Sequence, residues 1–172
     1  MTKIAIVGPE CSGKTTLAEA LMLHGRAWFV SEVAREYLSD MDRPYEERDL
    51  LEIARVQASN EDMVGAEFHG VMACDTDLIT MRIWSEEKYG RCDPWILKQS
   101  EQRHYDLWLL CAPEMPWVPD PLRENPNDRD RLFHLYEGLL KYLEKPYQVM
   151  RGPREQRLKE AMKAISALRK KA

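Results

Sequence analysis

Residues Gly8 to Thr15 (GPECSGKT) match G-x-x-x-x-G-K-[ST] without a gap, and that pattern dictates what must flank it. Its glycines let the backbone curl until the N–H groups point inward at phosphate oxygens. The curl needs a strand before it and a helix after it, because the helix adds the positive end of its dipole to the cradle. The chain supplies both. Lys3–Val7 (KIAIV) reads as a buried strand, and Thr15–His24 is helical in character with Gly25 as its stop. In such a loop Lys14 reaches the β- and γ-phosphates, and the Thr15 hydroxyl is a magnesium ligand. The candidate nucleotide contacts are therefore Gly8, Glu10, Cys11, Ser12, Gly13, Lys14, Thr15 and Thr16, with ATP and Mg2+ as the expected cofactors. A chance match is the competing explanation, and the flanking strand and helix argue against it. Cys11 sits near a helix N-terminus that would favour a thiolate; the plainer reading is a small residue that fits the loop.

The rest of the chain repeats this alternation. Ala27–Val30 (AWFV), Gly70–Cys74 (GVMAC), Tyr105–Cys111 and Tyr147–Met150 read as four more strands. Helices are expected after Ser31, over 45–67 and 78–89, from Pro94, through Leu132, Tyr136, Leu139, Leu140 and Leu143, and through Leu158, Met162 and Ile165. Trp28 and Trp108 fall in strands and are expected in the core. The fold class is α/β: a P-loop NTPase-type parallel five-stranded sheet with helices on both faces, in a single domain over 1–172. Residues 114–131 hold four prolines and several arginines, and read as a small lid or as a solvated loop. As a lid it would bring Arg123, ahead of Arg129, to a transferring phosphoryl group.

Ligands of such a sheet gather beyond the carboxyl ends of its strands, where three acids fall. Asp75 and Asp77 follow the third strand. Asp75 is placed to hold magnesium opposite Thr15, and Asp77 to orient the metal or the acceptor; Asp and Thr are also good helix caps. Glu32 follows the second strand and is the first candidate for the base that takes an acceptor's proton, with Glu36 next. Arg35, one turn on, would pair with Glu32 or with phosphate, or the two form an ordinary surface pair.

Composition narrows the partner. A net charge of −4 argues against a protein whose affinity comes from nucleic-acid phosphates. No uncharged stretch exceeds the seven residues Leu107–Pro113, far short of a membrane span. No export signal is visible, and Cys11, Cys74, Cys92 and Cys111 have neither CxxC nor zinc-finger spacing. The expectation is a cytoplasmic protein with free thiols and a small-molecule substrate. The four histidines have no ligand spacing.

GPECSGKTTLAEAL, SEVAREYL, CDTDLITMRIW with YGRCDPW, YDLWLL, and PWVPDPLRENP before RLF follow one another in that order. Together they resemble the ribosylnicotinamide kinase domain of bacterial NAD-biosynthesis regulators, from about Lys3 to Arg157. The resemblance implies transfer of the ATP γ-phosphoryl group to the 5′-hydroxyl of nicotinamide riboside, giving nicotinamide mononucleotide. Fuller family members carry a DNA-binding helix-turn-helix and an adenylyltransferase domain, and the expectation here is the kinase domain alone. Pro121 stands where the family pattern leads one to expect a glycine. The pyridinium cation of nicotinamide riboside suits an aromatic face near carboxylates, and Trp84 is the candidate face, with Glu32, Arg35 and Asp77 completing the candidate acceptor contacts. Two other functions fit the same motifs: a kinase for another nucleoside or small alcohol, and a nucleotide-dependent regulatory ATPase.

Overall fold

The computed structural model describes residues 1–25, 27–121, 123 and 127–170. Five strands, β1 (Thr2–Val7), β2 (Trp28–Val30), β3 (Val71–Asp75), β4 (Leu107–Cys111) and β5 (Tyr147–Met150), alternate with seven helices among these residues. The helices are α1 (Lys14–Leu23), α2 (Val33–Ser39), α3 (Glu47–Glu67), α4 (Leu78–Tyr89), α5 (Pro94–Gln102), α6 (Arg129–Tyr142) and α7 (Arg154–Arg169). All pairings are parallel and the strand order is β2-β3-β1-β4-β5. The apolar strand at the start of the chain thus lies at the centre of the sheet, and the phosphate-loop motif leaves from its carboxyl end.

Alternation along each strand explains why both faces are covered. Ile4 and Ile6 join Ala73, Leu107 and Leu109 on one face, packed by Leu17 and Leu21 of α1 and by Ala161 and Ile165 of α7. Ala5 and Val7 join Met72, Cys74, Trp108 and Leu110 on the other, packed by Ile79 and Ile83 of α4 and by Tyr136 and Leu140 of α6. A third apolar cluster joins α2, α3, α4 and α5 beside the sheet. Trp108 is buried, as expected, but Trp28 is not. It is 47% exposed and stacks on Phe68 at 4.0 Å, because three-residue β2 is an edge strand with no further layer over that position.

One buried ionic cluster fastens α3 to the sheet. Glu61 lies 2.7 Å from Lys3 Nζ of β1 and 3.3 Å from Arg103 Nη2, and accepts from the Tyr105 hydroxyl at 2.8 Å. One helical turn away, Gln57 accepts the backbone N–H of Val33 at 3.1 Å and so fixes where α2 begins.

The loop between β4 and α6 corresponds to the expected lid. Helix α6 takes over at Arg129, so the last three residues of the expected lid span, 129–131, are helical. Leu122, Glu124, Asn125 and Pro126, also within that span, lie outside the described residues.

Removing one partner from a buried ion cluster leaves the others uncompensated. Glu61→Ala is expected to lower the unfolding free energy by about 3 kcal/mol in urea titration. Glu52→Ala, which breaks the exposed Glu52–Arg55 pair, is expected to cost under about 1 kcal/mol.

Candidate functional site

The phosphate loop is wound tightly enough that two of its glycines cannot be replaced in place. Gly8 has φ +138°, and a Cβ there would meet the Cys111 carbonyl oxygen at 2.6 Å. Gly13 has φ +82°, and a Cβ there would lie 2.1 Å from Met115 Cε, which covers the loop from the lid side. Cys11 also takes a left-handed conformation, φ 53°. Lys14 turns back across the loop, donating from Nζ to the Pro9 carbonyl at 3.0 Å. Behind it stands Arg157, a residue that sequence reasoning passed over. Only 2% exposed, it donates to the carbonyls of Ser12 (2.7 Å), Gly152 (2.7 Å) and Ala112 (3.0 Å). Its one sequence signal is an arginine near the start of an otherwise amphipathic C-terminal helix.

The loop opens into a cavity of about 200 Å3 lined by Gly8 and by all of Glu10–Thr16. Glu32, Arg35, Trp84 and Arg123 line it too. Among the candidates, Asp75, Asp77, the second-choice base Glu36 and the second-choice arginine Arg129 do not line this cavity, and the others share its wall. A second cavity, about 880 Å3, adjoins the first. Glu10, Arg35, Leu38, Trp84 and Tyr136 line both, and Tyr45, Glu87, Lys88 and Asp120 line the larger one.

Asp75 and Asp77 differ sharply in what holds them. Asp75 is 1% exposed, and neither of its carboxylate oxygens has a hydrogen-bond partner. Burial pushes its pKa up to about 6; the nearby Lys14 ammonium opposes that rise, Glu32 adds to it, and Thr15 is near enough to lower it slightly while standing outside hydrogen-bonding geometry. A buried carboxylate with two idle oxygens beside a lysine and a threonine hydroxyl has the donor chemistry of a hard cation's ligand. No cluster of three or more His, Cys, Asp or Glu exists among the described residues. A cation here would depend on Thr15, Asp75, phosphate oxygens and water, as magnesium sites at nucleotides do. Asp77 has no idle oxygen. One accepts the N–H groups of Ile79 and Thr80 as the cap of α4, and the other accepts Trp108 Nε1 at 2.8 Å. Its pKa too is pushed up to about 6, by burial first, with the Trp108 bond opposing. The geometry gives Asp77 the capping role that its sequence position also allowed.

Polar contacts fold the lid over the loop. Trp117 Nε1 donates to Glu10 at 3.0 Å and Cys11 Sγ to the Pro116 carbonyl at 3.4 Å. Arg129 donates to the carbonyls of Cys11 (3.2 Å) and Met115 (2.9 Å), so it braces the loop from the start of α6, while Arg123 lines the cavity. Arg35 pairs with Asp120 of the lid at 3.1 Å rather than with Glu32. Arg131 bridges to Glu87 of α4 beside the larger cavity.

A five-stranded parallel sheet in this order, with a glycine-flanked loop at the mouth of its central strand and a lid across it, is the fold of the P-loop kinases. The chain belongs to the AAA domain family, whose model matches residues 3–157. It is 29% identical over 134 residues to the trifunctional NAD biosynthesis/regulator protein NadR of Salmonella typhimurium strain LT2, an alignment covering 74% of this chain and 32% of that protein. NadR of Escherichia coli strain K12 is 28% identical over the same length and with the same coverage. The chain thus spans about a third of the length of these relatives. Among solved structures, a NadR protein in complex with NR superposes with a TM-score of 0.81 at 22% identity, covering 97% of this chain and 51% of that one. A deoxyadenosine kinase from M. mycoides with products bound superposes with a TM-score of 0.68 at 14% identity, covering 96% and 100%. At these identities the superpositions show a shared fold. No helix among the described residues is long and apolar enough to cross a membrane.

The raised pKa of Asp75 has a stability consequence. Between its ordinary value of 3.8 and about 6 the folded protein holds a proton that the unfolded chain has released. This carboxyl therefore favours folding most below about pH 4, and that contribution is lost as pH rises through 6. In magnesium-free buffer Asp75→Asn is expected to raise Tm at neutral pH, with the gain shrinking as pH is lowered toward about 4. Calorimetry across that range checks it; a Tm lowered at neutral pH would mean that the carboxylate is satisfied in the fold.

Proposed function

We propose that this chain is an ATP-dependent kinase that transfers the γ-phosphoryl group to the 5′-hydroxyl of nicotinamide riboside, giving nicotinamide mononucleotide. The observation that carries this reading is that the phosphate-loop cavity and a second, larger one share a wall, with Trp84 lining both. A phosphoryl group held at the loop and a hydroxyl held in the neighbouring cavity need no intermediate carrier. The sequence likeness to NadR and the superposition on a NadR protein in complex with NR point to the same acceptor. The larger cavity suits a pyridinium ring: Trp84 and Tyr45 offer aromatic faces, Glu87 and Asp120 offer carboxylates, and a cation, Lys88 Nζ, already lies 3.3 Å from the Tyr45 ring centroid.

The residues divide the work as follows. Backbone N–H groups of the loop and the start of α1 take the phosphate oxygens, and Lys14 swings from the Pro9 carbonyl to the β- and γ-phosphates. Thr15 and Asp75 would hold magnesium, which would offset the negative charge of the phosphates. Arg123 faces the transferring group from the lid. Glu32, on the wall of the phosphate cavity at the start of α2, takes the acceptor's proton as the 5′-oxygen bonds to phosphorus and ADP leaves. The Arg35–Asp120 pair closes the lid against α2 and keeps water from competing as acceptor.

A panel of nucleosides scored for ATP-dependent ADP release tests the reading. Nicotinamide riboside is expected to give the highest kcat/KM. A purine or pyrimidine deoxynucleoside ahead of it would move the chain to another nucleoside, in line with the deoxyadenosine kinase likeness. ADP release that no acceptor stimulates would overturn the kinase assignment. Glu32→Gln is expected to keep ATP binding and to lose turnover by roughly a hundredfold. If it retains the full rate, the proton goes elsewhere.

A further inference from the structure

Among the described residues few buried polar atoms lack a partner, and most of them gather near the phosphate loop. Among the described residues five buried side-chain nitrogens or oxygens have none: Ser12 Oγ, both oxygens of Asp75, Thr80 Oγ1 and Arg103 Nε. Arg103 is otherwise engaged in the ionic cluster, with bonds to Glu61, Asp62 and the Ala58 carbonyl. Of the other four atoms, Ser12 Oγ belongs to the phosphate loop and the two Asp75 oxygens stand beside its Lys14 and Thr15, while Thr80 lines the phosphate cavity with no role so far.

An idle hydroxyl at Thr80 is unexpected twice over. The side chain is 1% exposed, and leaving a buried hydroxyl unpaired is unfavourable by about 1–3 kcal/mol. A helical threonine also has a partner within reach by default, since its hydroxyl readily bonds the carbonyl three or four residues back. Thr80 does not. The Tyr136 phenol stands beside it, near enough to be influenced by it, but outside hydrogen-bonding geometry. The backbone of Thr80 is meanwhile held firmly, its N–H donating to the Asp77 cap at 3.2 Å. A rigidly placed, unpartnered hydroxyl in a cavity wall is a group waiting for a ligand.

Its position says which part of the ligand. Thr80 and Trp84 are four residues apart on α4 and so lie on one helical face. Thr80 lines only the phosphate cavity, and Trp84 lines both cavities. An acceptor whose ring reaches the Trp84 face lies along this stripe, with its sugar toward Thr80 and its reacting hydroxyl toward the loop. We infer that the Thr80 hydroxyl binds the sugar of the nucleoside acceptor, beside the oxygen that is phosphorylated, and sets specificity for a hydroxyl-bearing sugar there. The inference rests on the kinase reading above and deepens it.

Thr80→Val keeps the side chain's shape and deletes only the hydroxyl; Thr80→Ser keeps the hydroxyl. With nicotinamide riboside and ATP as the varied substrates, Thr80→Val is expected to raise the acceptor KM about tenfold, leave the ATP KM within about twofold, and leave Tm unchanged or higher. Thr80→Ser is expected to recover most of the acceptor KM. A Thr80→Val protein with lowered Tm and an unchanged acceptor KM would show the hydroxyl to be structural and overturn the inference. So would a rise in the ATP KM matching that of the acceptor, which would place the hydroxyl on the phosphates. A wild type that phosphorylates no nucleoside is a separate result: it overturns the kinase reading and this inference with it, whereas indifference to Thr80→Val in an active enzyme overturns this inference alone.

Discussion

Arg157 donates from one buried guanidinium to the carbonyls of Ser12, Ala112 and Gly152, and those three bonds tie together the phosphate loop, the end of β4 and the turn after β5. A loop that must present its N–H groups to a ligand turns carbonyls the other way, and buried carbonyls need donors. Arginine suits the task because its planar fork holds several donors in fixed geometry and stays charged. Glu114 sits at 3.3 Å from the same guanidinium and accepts the Gly152 N–H at 2.6 Å, so the root of the lid is anchored to the same point. Loop, sheet end and lid are thus one assembly organised around a single cation. That cation also stands behind the site where phosphate charge would accumulate.

The front of the loop is built on the opposite principle. There polar groups are left without partners: Ser12 and Thr80 line one cavity, and Asp75 stands beside the Lys14 and Thr15 of its wall. Satisfaction behind and deficit in front are what a site looks like before its ligand arrives: the ligand supplies the missing partners. Two of the three non-glycine residues with positive φ among the described residues fall in the same region, Cys11 in the loop and Thr76 immediately after Asp75. The lid completes the enclosure through Trp117–Glu10 and Arg35–Asp120.

Much of this was legible in the sequence, for physical reasons. Runs such as IAIV and LWLLC are apolar throughout because both faces of a parallel sheet are covered, and their ends are marked by Gly8 and Asp106. The phosphate loop was legible because glycine, lysine and threonine at fixed spacing have one main use. What the sequence could not disclose depends on three-dimensional neighbours. Asp75 and Asp77 look alike in CDTD, yet one is idle and the other is locked by Trp108, a residue thirty-one positions later. Arg35 appeared suited to Glu32 because helical spacing was the only visible relation, but its partner comes from the lid. Trp28 looked like a core residue because its strand is apolar, and only the sheet order shows that the strand is at an edge. Arg157 and Thr80 escaped notice because burial, not residue type, gives them their meaning.

The central claim is that the cavity beside the phosphate loop holds the phosphoryl acceptor. Phosphorus NMR of a mixture of the protein, ATP, magnesium and nicotinamide riboside tests it most directly, because it distinguishes transfer from hydrolysis. The account predicts a new phosphomonoester resonance that grows in step with ADP, coupled to the 5′-methylene protons of the riboside. ADP accompanied only by inorganic phosphate would contradict it, and would describe a nucleotide hydrolase whose second cavity serves something other than an acceptor.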